Sequence, residues 1–158
     1  MARGLHPVGT MQLSDVLSLL TRQHDEIEAL LVEVTVAEVM PMRASAMSEL
    51  ADKLTLHLGL EQELLYPATV GIVSDEVRAE MMAEHQEIKR VLADLIWLER
   101  EDQRFARQLV ALQVLLQWHE VWQEGELFPR IAAGLPAPRH AELAHGVSSW
   151  LQQTQLAA

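Results

Sequence analysis

Four apolar stripes of helical period run along this chain, and each carries one histidine where packing would place a leucine. The first stripe reads Leu17, Leu20, His24, Ile27, Leu31, and the second Met47, Leu50, Leu54, His57, Glu61, Leu64. The third reads Met81, His85, Ile88, Leu92, Leu95, and the fourth Leu109, Leu112, Leu116, His119. Steps of three and four residues keep such side chains on one face of an α-helix. A fold that buries these faces must therefore also bury four imidazoles, and with them the carboxylate of Glu61.

The stripes belong to an internal repeat. "QHDEIEALL" at 23–31 matches "EHQEIKRVL" at 84–92, and "HLGLEQELLYP" at 57–67 matches "HEVWQEGELFP" at 119–129. Two helical hairpins of one pattern, packed face to face, bring four histidines together. Short connections between long helices make neighbours antiparallel, so the expected fold is all-α: an up-down-up-down four-helix bundle with an additional C-terminal helix. No segment alternates with period two.

Capping and breaking residues set the expected bounds. Residues 1–12 carry Gly4, Pro7 and Gly9 and read as a flexible arm. Residues 13–130 read as the bundle and 131–158 as a helical extension packed on it. Within the bundle, Ser14 opens the first helix and Pro41 stops it. Pro67 ends the second, Ser74 with Asp75 and Glu76 starts the third, and the fourth ends near Pro129. The last helix is expected from about Arg139 to Gln155.

Composition agrees with packed helices. Apolar residues make up 49% of the 158-residue chain but aromatics only 4%, leaving Leu, Val, Ala and Met to fill the core. There is no cysteine, which excludes disulfides and thiolate metal sites. A net charge of −11 disfavours nucleic acid and anionic membrane as partners. With no apolar run of membrane-spanning length, the expected setting is cytoplasmic, as a monomer or homodimer.

A lone histidine on an apolar face is usually a hydrogen-bonded core residue. Four of them, one per helix and symmetric about the repeat, would lack enough partners, and buried Glu61 would be costly without a counter-charge. A metal satisfies all of these groups together. Imidazole and carboxylate donors admit zinc, iron or manganese. The donors exceed what one tetrahedral zinc needs, so two adjacent metals fit better, and mixed N/O ligation with open positions favours iron.

Over about residues 14–130 the pattern His24, H57-x-x-x-E61, His85, H119-x-x-x-x-E124 resembles the hemerythrin-like (HHE cation-binding) family. The resemblance implies a bundle holding an oxo- or hydroxo-bridged centre of two Fe ions. His24 and His57 would bind one iron, His85 and His119 the other, and Glu61 and Glu124 would bridge them. Two positions depart from the oxygen carriers of that family. Lys89 stands where they have a second third-helix histidine, and an ammonium is a poor ligand. Its repeat-equivalent Glu28 could lend a carboxylate to the site or pair with Lys89, but is first expected to face solvent. In the fourth helix the seam residue a turn after His119 is Gln123, and Glu124 lies about 100° further round. For Glu124 to bridge, its side chain must swing in or the helix must relax locally through a π-bulge.

Trp118, Trp122 and Trp97 are expected to pack in the bundle, with an apolar wall around the site as the functional alternative. His6, His140 and His145 are expected at the surface. The leading functional expectation is a protein that binds or senses O₂, NO or peroxide, or handles iron. A di-iron enzyme that decomposes hydrogen peroxide or detoxifies NO comes next, favoured by exchangeable metal positions. A helical interaction module whose polar seam sets its topology comes last.

Overall fold

The computed structural model describes residues 10–99 and 101–157 of the chain. Most of the expected N-terminal arm, with His6, lies outside the described residues. Helix α1 spans Leu13–Val36. Helix α2 runs through Met40–Leu60, a π-helical turn at Glu61–Leu65 and a last turn at Tyr66–Ala68. Helix α3 spans Asp75–Trp97. Helix α4 runs through Gln103–Trp122, a second π-helical turn at Gln123–Leu127 and a final stretch at Phe128–Gly134. Helix α5 spans Ala137–Ala157. No strand occurs among the described residues.

The first four helices pack in a ring, α1 on α2, α2 on α3, α3 on α4 and α4 back on α1, and α5 lies against α1 and the π turn of α2. Small residues let α5 approach closely. A Cβ at Gly146 would come 3.2 Å from Leu64, and one at Gly59 3.5 Å from Trp150. The turn after α2 needs a left-handed residue, and Gly71 supplies it with φ 82°.

Local chemistry moves several boundaries from their expected places. Gln12, not Ser14, caps α1: its backbone N–H donates to Asp15 Oδ2 at 2.7 Å, completing a capping box. Ser74 caps α3 as expected, accepting from the Val77 N–H at 3.3 Å. Pro41 sits in the first turn of α2, where a missing N–H costs nothing. Helix α2 ends one residue past Pro67, close to its expected place, whereas α4 continues past Pro129 to Gly134. Each proline follows a π turn, in which Tyr66 N–H reaches back to Glu61 and Phe128 N–H to Gln123. The extra residue in that turn moves away the carbonyl that a proline ring would otherwise strike. The repeated phrase thus carries a repeated helix distortion.

Two apolar clusters fill the interior. One gathers Leu30, Leu50, Leu54, Ile88 and Leu112; the other gathers Leu20, Leu60, Leu127, Ile131 and Val147. A layer of buried polar side chains divides them: His24, His57, Glu61, His85, His119 and Gln123. Trp97 and Trp118 are not packed in the bundle. They are 87% and 70% exposed, while Trp122 is half-buried against the second cluster. No described helix is long and apolar enough to cross a membrane.

Candidate metal centre

Glu61 is wholly buried at the centre of the polar layer, at the point where α2 enters its π turn. Its Oε1 lies 3.4 Å from His57 Nε2, and its Oε2 lies 2.9 Å from His85 Nε2 and 3.3 Å from His119 Nε2. The ring of His24 stands 4.8 Å from that of His57 and 5.6 Å from that of His119. Donor atoms of His24, His57, Glu61 and His119 all lie within 4.8 Å of one another, compact enough to surround one cation.

The outer nitrogens of three rings are tied down. His24 Nδ1 donates to Glu124 at 2.7 Å, His57 Nδ1 to Gln23 at 2.9 Å and His119 Nδ1 to Glu84 at 2.7 Å. A carboxylate or amide oxygen can only accept, so in each neutral ring the proton sits on Nδ1 and the Nε2 lone pair turns inward. Those three Nε2 atoms and Glu61 Oε1 are buried without any hydrogen-bond partner. Buried polar atoms are nearly always paired, so four orphans converging on one point fit a cation.

His85 differs. Its Nε2 lies 2.6 Å from the Tyr66 hydroxyl as well as beside Glu61, and its Nδ1 has no partner. The Tyr66 hydroxyl also reaches Glu61 Oε2 at 3.4 Å and accepts from Gln123 Nε2 at 3.3 Å. The repeat is visible here too. Phe128, the counterpart of Tyr66, stacks on His24 with ring centres 6.1 Å apart, as Tyr66 lies against His85 at 4.7 Å.

Of the six residues anticipated as ligands, the fold brings five to one layer: His24, His57, Glu61, His85 and His119. Glu124 is one-third exposed and faces the outer nitrogen of His24, while Gln123 takes the inward position beside Tyr66. The π turn foreseen for this helix is present, and within it Gln123 rather than Glu124 points inward. Glu28 is exposed, and Lys89 donates to Gln62 at 2.7 Å. Sequence reasoning passed over Gln23, Glu84 and Tyr66. A signal existed for the first two: each immediately precedes the first histidine of its hairpin and holds the second.

Electrostatics follow from this crowding. Burial opposes ionisation of Glu61, but His57, His119 and His85 hold its carboxyl well below the ordinary 4.5. Burial drives His57 down to about 3, against the attraction of Glu61 and helped by the other histidines. Burial also pushes His119 down, yet Glu61 and Glu84 together outweigh it and lift the ring to about 9. Burial keeps the Tyr66 phenol protonated, reinforced by the negative charges of Glu61 and Glu84.

These shifts predict a bell-shaped stability profile for the metal-free protein. Between about 3 and 6.5 the unfolded chain holds a proton that folded His57 rejects, so stability falls as pH drops through that range. Glu61 adds to this loss below 4.5. His119 acts oppositely: its contribution is complete below 6.5 and disappears as pH rises towards about 9. Thermal unfolding of metal-free protein should give its highest midpoint near pH 6.5, the value both imidazoles start from. A midpoint that climbs steadily with pH would contradict the assignment for His119.

An all-helical bundle with a buried histidine–carboxylate layer defines a cation-binding helical protein. The family model described as hemerythrin HHE cation binding domain matches residues 15–96, and the chain belongs to that family. The matched segment contains His24, His57, Glu61 and His85; His119 and its helix α4 lie beyond it. A comparison with curated proteins finds no match to the chain.

Proposed function

We propose that this layer is a non-haem centre of two irons that takes up a small ligand such as O₂, NO or peroxide. Glu61 would bridge the irons. Its Oε1 faces the half made by His57 and His24, and its Oε2 faces the half made by His85 and His119. The observation that carries the reading is the convergence of inward, unpartnered Nε2 lone pairs on a buried carboxylate with no Lys or Arg beside it. In this reading Glu124 orients His24 and does not bridge, and the Tyr66 hydroxyl is a further oxygen donor within reach of the half that contains His85. When bound, iron supplies Lewis acidity and redox chemistry. The protein's own residues fix the ring tautomers, hold Glu61 ionised and exclude bulk water. A purely structural polar seam would leave six of the layer's buried side-chain atoms without partners, which argues against a mere packing role.

The test is metal analysis with an optical spectrum of protein from iron-replete cells. The expected result is close to two irons per chain with near-ultraviolet charge-transfer bands. Colourless protein with a single zinc would overturn the reading.

A catalytic variant of this reading, breakdown of peroxide, rests on a specific observation. A cavity of about 80 Å³ between α1 and α4 opens directly on His24, His57 and His119. It has room for roughly two or three waters, enough for a diatomic molecule or peroxide. Lys89, tied to Gln62 instead of the histidine layer, leaves the position near His85 without an extra nitrogen. Wild type should therefore hold O₂ poorly and consume peroxide measurably. Lys89→His should slow peroxide loss and prolong an oxygenated spectrum. Stable O₂ binding by the wild type without peroxide loss would exclude the catalytic reading.

A further inference from the structure

The cavity between α1 and α4 has a charge pattern that a ligand pocket for neutral molecules does not require. Its walls include Ile27, Leu31 and Leu116, and besides its histidines the ionisable side chains lining it are Glu28 and Glu120. Both acids stand next to donors: Glu28 is one turn beyond His24, and Glu120 follows His119 directly. Burial pushes the Glu120 carboxyl up, His24 opposes it, and Glu124, Glu28 and Asp25 add to it; no lysine or arginine stands among the lining residues. Behind the two acids, His24 Nε2, His57 Nε2 and His119 Nε2 are buried and unpartnered in the cavity's inner wall. Lys89, by contrast, reaches from α3 to Gln62 on α2 and does not line the cavity.

We infer that this cavity is the route by which a divalent metal cation reaches the buried donors, with Glu28 and Glu120 as the groups that capture it. A cation approaching α1 and α4 meets converging carboxylates, which raise its local concentration and lower the cost of shedding water before the imidazoles replace it. The route also suits uncharged ligands, whereas anions are repelled at the mouth. This inference rests on the metal reading above and adds the path to it.

The experiment measures the rate and final extent of Co²⁺ uptake by metal-free protein, followed by visible absorption after rapid mixing. Wild type is compared with Glu28→Gln/Glu120→Gln and with Glu63→Gln/Glu142→Gln, which removes equal charge from exposed residues outside the cavity. Glu124 is left in place because it holds His24. The cavity variant should load about tenfold more slowly yet reach the same final Co²⁺ content, while the control keeps the wild-type rate. Added salt should slow wild type steeply and the cavity variant little, a comparison that does not depend on how the substitutions affect folding. Equal rates in wild type and cavity variant, or a wild-type rate indifferent to salt, would overturn the route. Failure of wild type itself to bind Co²⁺ would overturn the metal reading and the route together, and is distinguishable by its final extent.

Discussion

Replacing Glu61 by Gln is expected to strip most of the iron, leaving roughly a third or less of the wild-type content after purification, with the near-ultraviolet bands lost in proportion. The carboxylate is the one anion inside the layer and offers an oxygen to each half of the cluster. An amide keeps the volume but removes the charge that would offset the cations of the proposed centre, and it can present only one oxygen. Glu124→Gln should do much less. Glu124 sits at the rim and acts through the outer nitrogen of His24, and a Gln oxygen can still accept that bond, as Gln23 does for His57. Metal content by mass spectrometry, with both variants purified in parallel, gives the comparison. A larger loss in Glu124→Gln would show that the α4 carboxylate turns inward when metal is present and shares the bridging role.

Glu84→Ala is expected to weaken metal binding by about 10- to 100-fold while leaving the ligands themselves untouched. Glu84 accepts from His119 Nδ1 at 2.7 Å, which fixes the tautomer and aims Nε2 at the centre. It also helps lift His119 towards about 9, so its loss makes the ring a weaker base. Without that acceptor the imidazole is free to turn or to move its proton inward, where it would block the donor. Gln23→Ala should act on His57 in the same way, because the two residues hold equivalent places in the repeat. Competition with a chromophoric chelator, using Co²⁺ or Zn²⁺, measures both. Wild-type affinity in Glu84→Ala would mean that packing alone orients His119.

Much of this was legible in one dimension because helices convert spacing into direction. Steps of three and four residues place His24, His57, His85 and His119 on buried faces whatever else the bundle does. The repeat then requires that the hairpins meet with those faces together. A proline and two tryptophans were harder to read. Pro129 looks like a stop signal until the π turn before it is seen. Trp97 and Trp118 look like core until the bundle turns their faces outward.

By itself, then, the sequence determined the helical class, the histidine layer and the inward place of Glu61, since periodicity and the cost of burying charge act locally along each helix. Only the tertiary structure decided which residue of α4 points inward. A π turn shifts the helix face by a fraction of a turn, and that small rotation puts Gln123 beside Tyr66 and Glu124 against His24. It alone also decided which acceptors hold each ring, that Tyr66 reaches His85, and that Glu28 and Glu120 line the cavity while Lys89 does not. Such pairings depend on distances between helices far apart in the chain, and no spacing within one helix encodes them.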